Sequence, residues 1–512
     1  VRSRVIAFPQ LEAGDVIELV TRTDDSGSNF FADYFGDFAY LQSTQTRRIS
    51  DYVLLGPAGR TFYSSATPLP GLSHTEGKLA DGCTWQRWTA RDVPRLVPEP
   101  SMPGASEVLA YVHVSTYRTW EDVGRFYWGL VKDQLRVTDD VRAAAQEAVK
   151  GIPESDEQGR IRAVYDFVVS RTRYVGLEFG INSFKPYPVE TILSRRFGDC
   201  KDKASLMHAM LEALGIDSRL TLLRMKRLGG IDTQPASLAV FNHAILYVPK
   251  YKLFLDGTAE FHGSSELPSD DRGAEVLVVE PDGASQFFRT PEALPQDNVD
   301  ETRIAARLSK DGSVQLHVEG LARGAWTAEL RRIFEPPDER RRRAEEQLSR
   351  AAFPNVRVTD VTVSDPHQIE QPFETQFTAV ASGFAVPSGP GLRFSPFGQR
   401  QSFVEGLAQL SQRALPERLP YPQKLVIESQ VELPAGWTAS VPDGLRESSP
   451  QGAFEITYAR EDGKVTAKLS LVLNGGLLQP KDYGAFRAFL GRLDEALHRR
   501  VEAAPATQTA AR

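Results

Sequence analysis

The chain has 512 residues, 41% of them hydrophobic and 25% charged, which is enough apolar material for about three domains of about 150 residues each. Its 60 basic and 67 acidic residues give a net charge of -7, which excludes a broad basic surface for nucleic acid or for an anionic membrane. The sequence contains no apolar run near the roughly 20 residues of a membrane-spanning helix, and neither a P-loop nor a Gly-rich dinucleotide motif.

Short stretches in which apolar and polar residues alternate extend from residue 1 to about 135. Examples are "DVIELVTRT" (15–23), "DYVLLG" (51–56) and "EVLAYVHVSTY" (107–117). This period of two predicts β-strands, so we expect an N-terminal β-rich, sandwich-like domain over residues 1–135. Because Val1 is not a methionine and strand-like sequence follows directly, we expect a fragment or processed product in which this domain lacks its start.

Helical periodicity replaces the alternation near residue 136, in "DDVRAAAQEAVKGI" and "EQGRIRAVYDFVVSRTRYV". A third helix is predicted in "FGDCKDKASLMHAML" (197–211), with its stop at Gly215. The apolar stripe of this helix is Leu206, Met207, Met210, Leu211 and Leu214. Because the strand-like "SRLTLLRMK", "LAVFNHAILYV" and "YKLFLDGT" follow, we expect an α+β core over residues 136–292.

Alternating strands return after residue 293, for example in "ARLSKDGSVQLHVEGLA" and "AFEITYAREDGKVTAKLSLVL". Two helices accompany them, and the second is "YGAFRAFLGRLDEALHRR" (483–500). Its apolar stripe is Phe486, Leu490, Leu493 and Leu497. We expect a third, β-sandwich-like domain over residues 293–500 with a terminal helix, followed by a disordered tail over 501–512.

Cys200 lies at the predicted start of the third helix. The dipole and the free backbone N–H groups of a helix N-terminus favour a thiolate, which is the nucleophilic form of cysteine. Asp199 suits the N-cap position, and Gly198 permits a sharp turn that points the backbone N–H of Cys200 toward a bound carbonyl. Simple packing is the alternative, and it is the interpretation of Cys83; one long-range bridge between the two cysteines stays open.

A thiolate that attacks amides needs a histidine to carry the proton and an acid to orient that histidine. "FNHAILYVPKYKLFLDGT" is predicted to form a hairpin folded about the midpoint between Pro249 and Lys250, with a loop from Val248 to Tyr251. This register places His243 directly opposite Asp256, with Cβ atoms about 4.5 to 5.5 Å apart. A loop of three or five residues would put the two side chains on opposite faces.

The order of "GDCKDKA" around Cys200, "NHA" around His243 and "LDGT" around Asp256 resembles the transglutaminase-like superfamily, whose core is a variant of the papain-like fold. More closely, the chain resembles bacterial transglutaminase-like proteins that carry a β-rich domain before the core and another after it. "AFPQLEAGDVIE" and "LQPKDYGAFRAFLGRLDEAL" fit that architecture. The resemblance implies that Cys200 is the nucleophile, His243 the general base and acid, and Asp256 the residue that orients His243.

The resemblance further implies a cysteine enzyme that acts on protein or peptide amides through a thioester. Some members of the superfamily crosslink glutamine and lysine side chains, others hydrolyse amides and others have lost the triad, so transfer to an amine and hydrolysis both stay open. No cofactor and no metal ion is expected, and no calcium-binding loop motif occurs. A second oxyanion donor is expected among Asn182, Tyr187 and Tyr174, and His262 is a further candidate for the cleft.

The alternative to an enzyme is a binding or scaffolding protein of the bacterial envelope with a relic triad. This would follow if a loop such as "GGIDTQPASLAV" (229–240) covered Cys200. The resemblance also implies a periplasmic or cell-surface location in a bacterium. We expect protein or peptide partners, no nucleic acid and no transmembrane segment in this chain.

Overall fold

The computed structural model describes residues 6–8, 10–23, 31, 34–353, 355–398, 402–461 and 463–506. Within these residues the chain forms three consecutive segments, each with a hydrophobic core of its own, and the expected multidomain arrangement with an α+β middle is confirmed. In this part of the chain, no helix combines the length and the apolar character needed to cross a membrane.

The first segment is rich in β-structure. Its elements are β1 (Gly36–Tyr40), β2 (Arg47–Gly56), β3 (Tyr63–Ala66), β4 (Ser73–Lys78), β5 (Thr84–Val93), α1 (Ala105–Val108) and β6 (Tyr111–Ser115). The strands form two three-stranded antiparallel sheets, in the orders β1-β6-β3 and β2-β5-β4. Trp88 and Ala90 of one sheet share a hydrophobic cluster with Val112 and Val114 of the other, so burial between two sheets accounts for the alternating sequence.

"DVIELVTRT" does not form the strand that its alternation predicts. Residues 15–23 pair with no strand in the described part of the chain, and Val16 and Val20 are 92% and 81% exposed. Strand formation depends on a neighbouring edge and on a surface that covers the apolar face, and the described residues offer this segment neither. The first five residues of the chain lie outside the described residues.

The middle segment is a five-stranded antiparallel sheet covered by helices, in the strand order β11-β10-β9-β12-β13. Its elements are α2 (Trp120–Val131), α3 (Asp139–Ala148), α4 (Glu157–Arg171), β7 (Arg173–Tyr174), α5 (Val189–Arg195), β8 (Phe197–Gly198), α6 (Cys200–Ala213), β9 (Arg219–Arg224), β10 (His243–Val248), β11 (Leu253–Leu255), β12 (Glu275–Val279) and β13 (Ser285–Arg289).

Helix α6 is the central helix of the middle segment. Leu206, Met207, Met210 and Leu211 of the expected stripe are fully buried, and the helix packs on β10. The chain leaves the helix at Gly215, whose φ of +75° is a left-handed conformation that favours glycine. The burial of α6 therefore fixes where its N-terminal residue lies relative to the sheet.

Helix α2 belongs to the middle segment by packing. Val123, Tyr127 and Val131 are fully buried in the same cluster as α6, although they precede the predicted boundary at residue 136. The division into 1–135, 136–292 and 293–500 stays a prediction, but this helix packs with the residues that follow it.

The third segment is built on an eight-stranded sheet, in the order β16-β17-β15-β14-β21-β25-β24-β23, with β14 and β21 parallel and all other neighbours antiparallel. Its elements are β14 (Val299–Leu308), β15 (Val314–Arg323), α7 (Ala325–Phe334), α8 (Arg340–Ala351), β16 (Val356–Val363), β17 (Phe373–Ala381), β18 (Val386–Ser388), β19 (Gly391–Phe394), α9 (Phe403–Leu407), β20 (Glu417–Leu419), β21 (Gln423–Glu432), β22 (Trp437–Ser440), β23 (Leu445–Ser449), β24 (Gly452–Glu461), β25 (Lys464–Leu473), β26 (Gly476–Leu478), α10 (Pro480–Leu497) and β27 (Val501–Pro505).

One face of the large sheet forms the core of this segment with helix α10. The four residues of the expected α10 stripe, Phe486, Leu490, Leu493 and Leu497, are all buried in that core. The alternation of buried and exposed residues along β17 is complete, which is the pattern of a sheet with one face toward solvent.

The predicted disordered tail is wrong over Val501–Pro505. These residues form β27, which lies between β19 and β22 in a four-stranded sheet, and Val501 and Ala503 are buried. Two flanking strand edges stabilise a segment whose own composition is that of a flexible terminus. Residues 507–512 of the predicted tail lie outside the described residues.

Candidate active site

Cys200 is the first residue of α6, and a reciprocal hydrogen-bonded cap precedes it. Asp199 is the N-cap: its Oδ1 accepts from the backbone N–H of Asp202, and Oδ2 of Asp202 accepts from the backbone N–H of Asp199, each at 3.3 Å. A Cβ at Gly198 would lie 2.6 Å from the Cβ of Asp202, so this cap requires a glycine two residues before Cys200. The cap that the sequence predicts is therefore present.

Asp202 ties this helix start to the chain before it. Its Oδ1 accepts from the backbone N–H of Tyr187 at 2.9 Å, and its Oδ2 accepts from Nη2 of Arg195 at 2.6 Å. The carboxylate is fully buried, so both contacts are shielded from water. The position of Cys200 is thus fixed by a buried network rather than by the helix alone.

The thiol of Cys200 is free and half-buried, and Cys83 is also free, so the bridge between the two cysteines is not formed. Strands β7 and β8 pair in parallel, which places Tyr174 beside Gly198, just ahead of the thiol. Burial, together with the nearby Cys200 and the carboxylates around it, raises the pKa of Tyr174 to about 12. The phenol of Tyr174 therefore stays a hydrogen-bond donor at neutral pH.

His243 and Asp256 lie together under the start of α6. Nε2 of His243 is 3.2 Å from Oδ2 of Asp256, and both side chains are more than nine-tenths buried. The ring N–H does not point straight at this oxygen, so the contact is an ion pair rather than a linear hydrogen bond. Burial opposes a charged ring, but the carboxylate of Asp256 and the side chain of Cys200 raise the pKa of His243 well above its ordinary value.

Asp256 is held as a carboxylate by Thr258 as well. Its Oδ1 accepts from the backbone N–H and from Oγ1 of Thr258, each at 2.8 Å. Burial opposes its ionisation, but His243 and Thr258 together hold the pKa of Asp256 well below its ordinary value. The arrangement can therefore support an imidazolium next to a thiolate, which is the form needed to attack a carbonyl carbon.

The predicted hairpin register is wrong by two residues. Strands β10 and β11 pair Leu246 with Leu255, and the loop is 249–252 rather than 248–251. Lys252 adopts a left-handed conformation, with φ of +50°, and this closes the turn one residue later than expected. A shift of two residues keeps side chains on the same face, so His243 and Asp256 still meet, but diagonally rather than directly opposite each other.

Gly257 brings Asp256 close to helix α6. A Cβ at this position would lie 3.0 Å from Cε of Met207 and 3.1 Å from Cβ of Lys203, both on α6. The close approach of backbone to helix therefore favours glycine after Asp256. It links the strand that carries the acid to the helix that carries the thiol.

Asp271 is a member of this cluster that the sequence analysis missed. Its side chain is fully buried and its Oδ2 lies 3.9 Å from Nε2 of His243. Burial and the negative charge of Asp256 raise the pKa of Asp271 to about 8. The "SDDRG" segment around it suggests only a turn, and no spacing signal connects this residue with His243.

A cavity of about 450 Å³ opens onto the cluster and is lined by Cys200, His243 and Asp256. Tyr174 and His262 also line it, whereas Asn182 and Tyr187 do not. Of the three expected oxyanion donors, Tyr174 is thus the one at the cavity. Burial lowers the pKa of His262, so its ring is neutral at pH 7.

The loop 229–240 does not cover Cys200, because none of its residues lines this cavity. It is held against the first segment instead. Oγ of Ser65 donates to the backbone oxygen of Gln234 at 2.8 Å, and the hydroxyls of Tyr34 and Ser237 lie 3.1 Å apart. This loop therefore does not seal Cys200 from solvent, which is the arrangement that a relic triad would have favoured.

The third segment borders the cavity through helix α7. Arg331 on α7 is fully buried, and its Nη1 donates to the backbone oxygen of Phe261 at 2.6 Å, while Nη2 donates to the backbone oxygens of Gln368 and Gln371. The next residue, Arg332, lines the cavity itself. The loop that follows Asp256 is thereby fixed by a residue 70 positions after Phe261.

The middle and last segments match known families. Residues 142–234 match the transglutaminase-like superfamily. The middle segment is a transglutaminase-like core. The match includes Cys200 and ends before His243 and Asp256. Residues 392–503 match DUF3858, a domain of unknown function that has a solved structure.

Solved structures agree with this fold. A candidate protease from Parabacteroides distasonis superposes with a TM-score of 0.61 at 16% identity, over 92% of this chain and 75% of that chain. A candidate cysteine protease from Cytophaga hutchinsonii matches 50% of this chain and 88% of its own at 15% identity, but with a TM-score of 0.22 the match does not establish a common fold. A comparison with curated protein sequences gave no match. The first of these structures therefore shares its fold with most of this chain.

Proposed function

We propose that the protein is a cysteine enzyme that cleaves protein or peptide amides through a thioester, with transfer to an amine or to water. Cys200 is the nucleophile, His243 the general base and acid, and Asp256 the residue that orients and charges His243. The observation that carries the proposal is the buried imidazole of His243, which pairs with the carboxylate of Asp256 and lines the same accessible cavity as Cys200.

In the first half-reaction, the thiolate of Cys200 attacks the amide carbon, forming a C–S bond while the carbonyl electron pair moves to oxygen. The imidazolium of His243 gives its proton to the departing nitrogen, and the C–N bond breaks to leave a thioester. In the second half-reaction, water or a primary amine attacks the thioester as neutral His243 takes its proton. The C–S bond then breaks, and the thiolate and imidazolium are regenerated.

The oxyanion formed in each half-reaction needs hydrogen-bond donors that are already in position. The backbone N–H of Cys200 is at the first position of the helix, where such groups have no acceptor within the helix, and we assign the phenol of Tyr174 as the second donor because it lines the same cavity and stays protonated. A binding or scaffolding role without catalysis is favoured by no feature of the site, since Cys200 is neither paired in a disulfide nor fully buried.

The test is labelling with a thiol-directed acyl probe, resolved by peptide mass spectrometry. Cys200→Ala should abolish labelling at residue 200 under conditions in which Cys83→Ala, the matched control, labels like the wild type. If Cys200 of the Cys83→Ala protein is labelled at pH 6 no faster than an ordinary free thiol, the proposal is contradicted. His243 would then not be forming the thiolate.

The acceptor is identified by a second experiment. The protein is incubated with a glutamine-containing peptide and a primary amine, and the products are weighed. Replacement of the side-chain amide by the amine indicates transfer, whereas deamidation or backbone cleavage indicates hydrolysis. We also propose a periplasmic or cell-surface location in a bacterium, on the basis of the resemblance alone, and fractionation of cells that express the complete gene tests it.

A further inference from the structure

Asp271 lies beside the contact between His243 and Asp256 and has no role in the function proposed above. It sits in the turn region between β11 and β12, and its side chain is fully buried. One ring nitrogen of His243 and one carboxyl oxygen each of Asp256 and Asp271 all lie within 4.8 Å of one another. Neither carboxyl oxygen of Asp271 has a hydrogen-bond donor within the described residues. A carboxyl group buried in this way needs either a compensating charge or a proton.

The two carboxyl groups differ in what stabilises their charge. Asp256 accepts two hydrogen bonds from Thr258 and lies 3.2 Å from the ring of His243. Asp271 lies farther from that ring, at 3.9 Å, and accepts nothing. Two carboxylates at this separation do not both ionise at neutral pH. The pair therefore holds one proton, and the proton belongs to Asp271.

We propose that Asp271 is a positioning residue that keeps the proton of this carboxyl pair and donates it in a hydrogen bond to Asp256, so that Asp256 faces the ring of His243. The inference deepens the proposed function and rests on the roles given there to Cys200 and His243. Its physical content is that Asp256 is held from two sides, by Thr258 and by Asp271, and cannot turn away from the imidazole.

A cation shared by the three groups is the competing explanation of the same spacing. Oδ1 of Asp256 accepts two hydrogen bonds from Thr258, and its Oδ2 lies 3.1 Å from Oγ1 of Thr258 and 3.2 Å from Nε2 of His243, so both oxygens already have partners. A tetrahedral site needs a fourth ligand, and the three groups are all buried. A shared proton requires no further ligand: it gives one oxygen of Asp271 a partner and removes the charge that the other would carry.

A proton on Asp271 has a consequence for the charge of His243. The charged groups that face Asp271 are Asp256, His243 and the neighbouring Asp270, and Asp270 is paired with Arg227 at 3.0 Å. When Asp271 loses its proton, a second negative charge appears beside the imidazolium and raises its pKa. The imidazolium should therefore survive to a higher pH in the wild type than in a variant whose residue 271 stays neutral.

The experiment is a titration of the histidine ring signals by NMR in the full chain, with the signal of His243 assigned from its loss in His243→Gln. Asp271→Asn keeps the shape and a donor group but has no charge to gain. We expect the imidazolium of His243 to titrate about one pH unit lower in Asp271→Asn than in the wild type. Asp270→Asn is the matched control and should shift the titration much less, because Asp270 is already paired with Arg227.

Alkylation of Cys200 by iodoacetamide at pH 6 gives a second measure. Asp271→Asn should react within about threefold of the wild type, because its amide still donates to Asp256, whereas Asp271→Ala should react about tenfold more slowly. Thermal unfolding of both variants shows that they are folded. A role in packing alone would change unfolding but leave the titration of His243 where it is.

The outcomes separate this inference from the proposed function. If the wild-type His243 titrates near pH 6.5 and Cys200 shows no thiolate at pH 6, the proposed function fails. If the wild-type His243 titrates well above 6.5 but Asp271→Asn titrates at the same pH, only the role of Asp271 fails. A stoichiometric metal ion in the purified protein, lost in Asp271→Asn, would also overturn the shared proton.

Discussion

His243 and Asp256 form an ion pair that is almost sealed from water, with Nε2 and Oδ2 3.2 Å apart and side-chain exposures of 7% and 3%. Burial by itself would lower the pKa of the histidine and raise that of the aspartate. The opposite shifts occur, because each charge compensates the other and Thr258 adds two donors to the carboxylate. The pair is therefore charged through the neutral range, and it is linked to the stability of the fold.

The first prediction concerns the pH dependence of that stability. The folded pKa of His243 is above that of an unfolded histidine, about 6.5, so its contribution is complete below about pH 6.5 and is lost as the pH rises through the folded value. The folded pKa of Asp256 is below that of an unfolded aspartate, about 3.9, so its contribution is complete above about pH 3.9 and is lost as the pH falls through the folded value.

Asp256→Asn should therefore destabilise the protein most between about pH 4 and 6.5, by about 3–5 kcal/mol, because it removes one partner of a buried ion pair. The deficit should shrink at higher pH. Denaturant unfolding at a series of pH values measures it. Glu432→Gln, which breaks the exposed pair with Arg307, is the control and should be nearly neutral throughout. A deficit that grows from pH 6.5 to 9 would contradict the charged pair.

The second prediction concerns Tyr174 as oxyanion donor. Tyr174→Phe removes only the phenol hydroxyl and should lower kcat about 100- to 1000-fold with little change in KM, since the donor acts on charge that develops in the transition state. Tyr187→Phe is the control, because Tyr187 does not line the cavity. The measurement is steady-state kinetics on whichever peptide the wild type turns over. Equal loss in both variants would assign the effect to packing.

The third prediction concerns the contact of Gly257 with helix α6. Gly257→Ala adds a methyl group 3.0 Å from Met207 and 3.1 Å from Lys203, so the loop that carries Asp256 must move away from the helix. We expect a loss of about 1–3 kcal/mol of stability and slower alkylation of Cys200 at pH 6. Gly176→Ala is the matched control, because a methyl group there meets nothing within 4 Å. Unchanged alkylation in Gly257→Ala would show that this approach is not needed.

The sequence was sufficient for features that local chemistry determines. The cap at Asp199, the buried stripe of α6 and the stop at Gly215 all depend on residues within one or two helical turns. That His243 and Asp256 share a face was also predictable, because a register shift of two residues leaves every side chain on the same face of the hairpin. The transglutaminase-like core followed from the order of the motifs and is confirmed by the family match.

Features that depend on distant partners were not predictable from pattern. Lys252 in a left-handed conformation shifted the hairpin register, although lysine carries no signal for that conformation. Val501–Pro505 forms a strand because β19 and β22 provide two edges, while Val16 finds no such edge and stays exposed. Asp271 lies beside His243 because the turn that carries it is buried in the folded chain, and no local sequence pattern indicates that burial.

The last prediction concerns the dependence of the site on the third segment. Arg331 is the buried residue through which α7 holds the backbone of Phe261, five positions after Asp256. Arg331→Met keeps the apolar stem but leaves three part-buried backbone carbonyl groups without this charged donor, and each hydrogen bond to a charged group contributes about 1.5–3 kcal/mol. The loop that follows Asp256 should then open more often, because its anchor on the neighbouring segment is gone.

Hydrogen exchange measures this opening directly. In Arg331→Met we expect a free energy of unfolding lower by about 3 kcal/mol, faster exchange over residues 257–263 and slower alkylation of Cys200 at pH 6. Arg332→Met is the matched control for stability and exchange. The side chain of Arg332 is 60% exposed and, within the described residues, pairs only with Glu329. If Arg331→Met exchanges like the control in this loop, the third segment is a neighbour of the site rather than its support. If exchange rises over residues 257–263 while helix α6 stays protected, the loop that follows Asp256 depends on a residue of the third segment. The middle and third segments then both determine the shape of the cavity.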